Sequence, residues 1–151
     1  MPDELLTTWD GLPISPEPPF GTTIVVYRNA KQGIEYLLLH RAHDGAAYEG
    51  EWAWTPPSGA RLPGEPVDLC AQRELLEETG LTLPLHATGH GVDSWAIYFA
   101  EATNGDTVTL DAEHDRYEWV SLEVALERCL PVVVADAVAY VAQRLQSQDL
   151  T

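Results

Sequence analysis

Three glutamates share one face of a predicted helix and have the chemistry to bind a metal ion. The stretch QRELLEETGL, residues 72–81, places Glu74, Glu77 and Glu78 three and four residues apart. Like charges at these spacings repel, and Gly80 predicts a helix end, where the backbone dipole also disfavours anions. A hard divalent cation such as Mg²⁺ takes oxygen ligands and would relieve this repulsion. The pattern therefore indicates a carboxylate metal site; the alternative is a solvated acidic face.

The helix that carries these glutamates follows a long loop rich in glycine and proline. The loop is AHDGAAYEGEWAWTPPSGARLPGEP, residues 42–66, and loops of this length are usually functional. Pro66 suits the first turn of the helix. Leu69 and Leu76 fall on the side away from Glu74, so we expect the leucines to face a core and the glutamates to face a cleft.

The remaining sequence predicts one α/β domain. TTIVVYR and EYLLLHR predict two antiparallel strands joined by a turn at NAKQG, and SWAIYFAEA, DTVTL and YEWVSL predict further strands. LEVALERCL and VVVADAVAYVAQRLQ predict closing helices. GLPISPEPPFG, residues 11–21, holds four of the 11 prolines and predicts an extended or loosely packed lead-in. We therefore expect a lead-in at residues 1–19 and a domain at 20–147.

Composition limits the partners of the protein. The 151 residues include 8 basic and 24 acidic side chains, a net charge of -16, which argues against charge-driven binding to nucleic acid or an anionic membrane. An anionic substrate would need a cation to mediate its binding. The sequence contains no apolar run long enough for a membrane span, and MPDELLTTWD lacks the basic start of a secretory signal, so we expect a cytoplasmic protein. Cys70 and Cys129 show no metal-ligand spacing and predict buried structural thiols.

A longer spacing pattern surrounds the glutamates. Gly59 is followed after five residues by Glu65 and after seven more by RELxEExGL, residues 73–81. This pattern resembles the Nudix box, here residues 59–81, and a later EHDRYEW, residues 113–119, agrees with the same family. The resemblance to the Nudix hydrolases implies an α/β Nudix fold with a mixed β-sheet sandwiched between α-helices.

The resemblance also implies roles for individual residues. It makes Glu74, Glu77 and Glu78 metal ligands and catalytic residues, with the carbonyl of Ser58 as a further oxygen ligand, and leaves the choice of general base among the glutamates open. Glu113 matches a position of another catalytic, metal-binding carboxylate, and we prefer it to Asp111 and Asp115. Arg73 and Glu65 would fix the carboxylates and the loop. Gly59 would allow a close backbone approach, and Gly80 would close the helix.

The implied reaction is attack of water on phosphorus in a nucleoside diphosphate-linked compound, with Mg²⁺ or Mn²⁺ as cofactor. EYLLLHRA followed by WTPPSGARLPGE is similar to the asymmetrical diadenosine tetraphosphate hydrolase branch, so we predict dinucleoside polyphosphates as substrates. Ser58 and Ala60 depart from the Lys and His of that branch. The alternatives are a pyrophosphatase acting on (deoxy)nucleoside or dihydroneopterin triphosphate, and a nucleotide-binding module without catalysis.

Substrate contacts are predicted from residue type. Arg41, Arg61 and Arg116 are candidates for phosphate binding, with Arg41 preferred, and Trp54 and Tyr117 are candidates for stacking on a base, with Trp52 as the alternative to Trp54. The predicted partner is a small-molecule nucleotide, without nucleic acid or membrane. We expect a monomer or a homodimer.

Overall fold

The computed structural model describes residues 13–92 and 94–149, which form one mixed sheet and three helices. The first twelve residues of the predicted lead-in lie outside the described range. The elements in chain order are β1 (Gly21–Ala30), β2 (Gly33–Arg41), β3 (Trp54–Thr55), β4 (Ser58–Ala60), α1 (Val67–Thr79), β5 (His86–Val92), β6 (Trp95–Ala102), β7 (His114–Val120), α2 (Leu122–Arg128) and α3 (Val132–Asp149).

The sheet has seven strands and a mixed topology. Its main path runs β3-β2-β1-β6-β5, and β4 pairs with β1 while β7 pairs with β2. The predicted hairpin is confirmed: β1 and β2 are antiparallel, with Tyr27 opposite Tyr36 and Ala30 opposite Gly33. β1 and β6 are parallel, from Gly21 opposite Trp95 to Arg28 opposite Ala102, and they join the two halves of the sheet.

Helices cover both faces of the sheet, as expected for this fold class. Alternate side chains of a strand point to opposite faces, so β1 sends Val25 into one core and Ile24 and Val26 into the other. The first core packs against α2 and α3, and the second packs against α1. Cys70 and Cys129 are buried free thiols, as predicted.

The orientation of α1 differs from the prediction. Leu69 and Leu76 are 52% and 54% exposed, whereas Leu75 and Ala71 make the core contacts. Glu74 and Glu78 are only 7% and 5% exposed, because they lie on the same side of the helix as those core residues. The helix therefore does not separate leucines from glutamates; its packed side carries both core side chains and carboxylates.

Three further segments differ from the sequence prediction. DTVTL, residues 106–110, is not a strand; it passes the end of α1, and its Thr109 N–H donates to the Thr79 carbonyl at 2.8 Å. β5 was not predicted, because HATGHGV contains two glycines, which are depleted in strands, and only two β-branched residues. β3 and β4 give short regular pairing to the long loop that precedes α1.

Across residues 13–92 and 94–149, every helix is too short or too polar to cross a membrane.

Candidate active site

The carboxylates of α1 lie directly beside β4. β4 pairs with the start of β1, which places Gly59 opposite Thr22. The backbone N–H of Ser58 donates a hydrogen bond to Glu78 Oε1 at 3.0 Å. The loop and the helix are thus joined at the point where the predicted metal ligands lie.

Gly59 is required because the carboxylate of Glu74 occupies the space of a side chain. A Cβ atom at Gly59 would lie 2.0 Å from Glu74 Cδ, far inside ordinary contact distance. Gly80, the other predicted glycine, has φ 72° and ψ 3° and ends α1 with its N–H bonded to the Leu76 carbonyl at 2.9 Å. Both glycines therefore have the geometry that the sequence indicated.

Arg73 connects the loop to the carboxylates. Its guanidinium donates to both oxygens of Glu65, with Nε to Oε2 at 2.8 Å and Nη2 to Oε1 at 2.9 Å. It also donates to Glu74 Oε1 at 2.8 Å, to Glu77 Oε2 at 3.3 Å and to the Ala60 carbonyl at 3.1 Å. Such a planar fork holds two carboxylates in fixed relative positions.

The loop after β6 brings a second acidic group to the site. The bond from Thr109 to Thr79 fixes this loop against the end of α1. Asp111 and His114 then approach Glu78, and one ligand atom from each of the three lies within 4.8 Å of the others. Asp111 Oδ1 is also 2.9 Å from His114 Nδ1. Of the described residues, this is the set of acidic and imidazole groups whose spacing fits a metal ion.

The carboxylates contribute to the lining of a cavity of about 890 Å³. Glu74, Glu77, Glu78, Asp111 and Glu113 all contribute to its lining, together with Ser58 and Arg73. The rest of the lining is largely apolar and comes from the lead-in, the long loop, β6 and α3: Pro13, Ile14, Trp52, Trp95, Ile97, Val133, Val134 and Ala137. One cavity lining thus combines charged and apolar side chains.

Among the predicted phosphate-binding arginines, Arg41 lies at the cavity. It makes no ion pair with any residue in the described ranges 13–92 and 94–149. Arg61 is buried away from the cavity lining and donates to the Pro19 carbonyl at 3.3 Å. Arg116 pairs with Asp115 at 3.2 Å and Glu49 at 3.3 Å.

The structure corrects the placement of Trp54 and Tyr117. Trp54 is 2% exposed in the core, where its ring contacts His40 edge-on at 4.9 Å and its Nε1 donates to Glu49, so it cannot stack on a ligand. Tyr117 is exposed on β7 opposite Leu39, outside the cavity lining. Trp52, two residues before Trp54, is 43% exposed and lines the cavity. Residues two apart on a regular strand point to the same face, so the sequence spacing could not separate the two tryptophans.

Trp52 also has an unusual backbone conformation. Its φ is 66°, in the left-handed region that non-glycine residues seldom adopt, and its N–H donates to the Leu130 carbonyl at 2.6 Å. Backbone strain of this kind clusters at functional sites. Sequence analysis had no signal for this conformation.

Burial perturbs the titration of the acidic groups. Burial raises the pKa of Glu74 to about 7, with the Arg73 charge opposing the rise and Glu77 and Glu113 adding to it. Burial raises the pKa of Glu78 well above its usual range, and the Glu74 charge adds to this effect. Hydrogen bonds from Arg73 lower the pKa of Glu65. The pocket therefore disfavours two negative charges at Glu74 and Glu78 unless a cation balances them.

The donor set fits a divalent cation. Carboxylate oxygens from Glu78 and Asp111 are the ligands that Mg²⁺ and Mn²⁺ favour, and Glu74 lies beside Glu78 on the same helix side. The Ser58 carbonyl belongs to the residue whose N–H already contacts Glu78. The imidazole of His114 adds a nitrogen donor to this set.

The chain thus combines a mixed sheet between helices with a bidentate Arg73–Glu65 pair that holds acidic residues at a cavity. A family model described as the NUDIX domain matches residues 18–140. This chain therefore belongs to the Nudix family.

Individual relatives agree with this assignment. The chain is 34% identical over 116 residues to the asymmetrical bis(5'-nucleosyl)-tetraphosphatase of Caenorhabditis elegans, which covers 69% of this chain and 80% of that protein. It is 32% identical over 107 residues to the nucleoside triphosphatase NudI of Klebsiella pneumoniae, which covers 58% of this chain and 74% of the relative. Its fold matches a crystal structure of a C. elegans Ap4A hydrolase binary complex with a TM-score of 0.70 at 26% identity, over 84% of this chain and 98% of that one.

Proposed function

We propose that this protein is a divalent-metal-dependent hydrolase of dinucleoside polyphosphates. The observation that carries the proposal is the cavity, whose lining combines buried carboxylates with apolar side chains. Similarity to the tetraphosphatase of C. elegans supports the substrate class. The apolar side chains would hold a nucleoside, and the carboxylates would hold the polyphosphate through their cation.

The metal would be held by Glu74, Glu78 and Asp111, with Glu77, Glu113, His114 and the Ser58 carbonyl at the same side of the cavity. When bound, a divalent cation such as Mg²⁺ or Mn²⁺ offsets the charge of phosphate groups and acidifies water. The protein's own contribution is to fix the carboxylates in place. Arg73 performs this task, since it bonds to Glu65 and Glu74 together.

Arg41 would bind a phosphate of the substrate. Its guanidinium makes no ion pair with the other described residues and lines the cavity with Glu113 and His114. β2 and β7 pair there, with Arg41 opposite His114 and the Ala42 N–H bonded to the Glu113 carbonyl at 2.9 Å. An arginine at this position supplies positive charge in a cavity lined by acidic residues, in a protein of net charge -16.

The test is product analysis with Mg²⁺. Diadenosine tetraphosphate should give ATP and AMP, which accounts for all four phosphates after one water is added. The kcat/KM for this substrate should exceed that for nucleoside triphosphates, and Glu78→Gln should lower turnover by about 10² or more in the same assay. Faster release of pyrophosphate from deoxynucleoside or dihydroneopterin triphosphates would replace the proposal with the triphosphatase alternative, which similarity to the K. pneumoniae protein favours.

Nucleotide binding without turnover of any of these compounds would identify a non-catalytic module instead. A cytoplasmic location and a monomeric or homodimeric state remain predictions, and fractionation and sedimentation would test them.

A further inference from the structure

The proline-rich segment 13–20 is attached to the domain by main-chain hydrogen bonds. The Ser15 N–H donates to the Arg61 carbonyl at 2.6 Å, and the Arg61 N–H donates to the Phe20 carbonyl at 2.8 Å. The Phe20 N–H in turn donates to the Ser94 carbonyl at 2.9 Å. The side chain of Ser15 is buried and bonds to the backbone of Glu17. The segment therefore bends at residues 16–18 and is held against the domain by its main chain on both sides of the bend.

The attachment point lies next to the metal side of the cavity. Arg61 directly follows β4, whose Gly59 faces the Glu74 carboxylate. The Arg61 side chain is itself buried and donates to the Pro19 carbonyl. The same short stretch of loop thus borders the carboxylates and holds the lead-in.

Ile14 projects from this segment into the lining of the cavity. It immediately precedes the anchored Ser15, so its position is fixed by the bond to Arg61. The other apolar lining residues include Trp52 and Trp95, and the Trp95 ring lies so close to Gly21 that a Cβ atom there would be 2.4 Å from it. Ile14 and these rings together present an apolar surface to whatever occupies the cavity.

The charged and the apolar lining residues would bind different parts of a ligand. A polyphosphate belongs with the carboxylates, their cation and Arg41, so the group joined to it must lie against the apolar lining. A flat aromatic ring is the group that indole rings and an aliphatic side chain bind well. Ile14 would then contact the nucleobase of the substrate.

We propose that Ile14, held by the anchored segment 13–20, binds the nucleobase of the substrate, an inference that rests on the proposed function. Ile14 lies outside the family match at residues 18–140, so this contact would come from a part of the chain that the family pattern does not include.

The test compares Ile14→Ala and Ile14→Val with the unaltered protein. With diadenosine tetraphosphate and Mg²⁺, Ile14→Ala should raise KM about tenfold and change kcat less than twofold, because missing apolar contact weakens binding without altering the carboxylates. Ile14→Val keeps most of the contact and should stay within about threefold of the normal KM. A normal KM in Ile14→Ala would overturn the proposal.

Two control variants separate this effect from general damage. Glu17→Gln alters an exposed side chain in the same segment, and Val132→Ala shortens an exposed apolar side chain next to the α3 part of the cavity lining. Neither residue lines the cavity, so both should keep the normal KM. A tenfold rise in either control would show that the effect does not belong to Ile14.

A second measurement keeps the test independent of hydrolysis. Binding of ATP in the presence of Ca²⁺ is followed by tryptophan fluorescence. If the unaltered protein hydrolyses no dinucleoside polyphosphate, the proposed function fails; about tenfold weaker ATP binding in Ile14→Ala would still support the role of Ile14. Equal binding in both proteins, or no binding by either, would overturn it.

Discussion

Gly59→Ala should lower kcat by about 10²-fold while leaving the protein folded. The φ of Gly59 is not in the left-handed region, so alanine is compatible with the backbone, and the problem is the contact with Glu74. The new Cβ would lie 2.0 Å from Glu74 Cδ, whereas ordinary contact begins at 3.4 Å, so the carboxyl carbon must move by about 1.4 Å. This carbon is at the end of a flexible side chain, and it can move without disturbing the core.

The displacement is large on the scale of a catalytic site. The hydrogen bond from Arg73 Nη1 to Glu74 Oε1, now 2.8 Å, cannot keep its length when the carboxylate moves that far. Losing it should cost about 1–2 kcal/mol of unfolding free energy, because Arg73 is partly exposed. Misplacing a catalytic group by 1 Å can cost about 10²-fold in rate, so we expect kcat to fall by about that factor.

The assay measures kcat with Mg²⁺ and the unfolding free energy in urea for the same preparations. Gly105→Ala is the matched control, since a Cβ there meets only Thr103 Oγ1 at 3.9 Å, and it should change neither quantity. In a Glu74→Ala background, Gly59→Ala has no carboxylate to displace and should cost no further stability. A kcat within threefold of normal in Gly59→Ala, or the same stability cost in both backgrounds, would refute the steric reasoning.

The remaining predictions concern the metal, the arginine, pH and the second acidic group. Glu78→Gln should lower kcat by about 10² at unchanged melting temperature, and a chelator should abolish the activity of the unaltered protein; near-normal turnover would remove Glu78 from the site. Arg73→Lys replaces the planar fork by a single point charge and should lower stability by about 2 kcal/mol in urea unfolding, so an unchanged midpoint would show that the fork is dispensable. With chelator present, the free energy of unfolding should fall as pH rises from about 4.5 to about 7, because the raised pKa of Glu74 lets the folded protein bind more protons than the unfolded chain. Glu74→Gln should make this fall smaller. If the unaltered protein instead gained stability relative to Glu74→Gln as pH rises, the sign of the argument would be wrong. Glu113→Gln should depress kcat more than it raises KM, and the kcat and KM of Asp111→Asn are measured for comparison. A change in KM alone would make Glu113 a substrate contact.

The local sequence was sufficient to predict the elements that are set by the conformational preferences of neighbouring residues. The hairpin of β1 and β2 follows from two β-branched runs around a polar turn, and the end of α1 follows from a glycine that can adopt positive φ. The spacing of Glu74, Glu77 and Glu78 along the helix likewise fixed that these side chains share a face. The neighbours of each glutamate on the helix could be predicted, because they depend only on residue positions along one helix.

Tertiary packing decided which side chains of those elements are buried and which are exposed. Helical periodicity could not indicate that Glu74 and Glu78 would be buried with Leu75 while Leu69 and Leu76 point to solvent. The sheet and the loops that cover α1 determine which side of the helix is packed, and those contacts join residues far apart in sequence.

The sequence by itself determined the acidic helix, its glycine cap, the spacing of the Arg-carboxylate pair and the family they resemble. Only the tertiary structure placed Asp111 beside Glu78, moved Trp54 into the core, and put Trp52 and Ile14 in the cavity lining. The physical reason is that side-chain spacing within one element is set by backbone geometry, whereas contacts between elements depend on how their surfaces pack together.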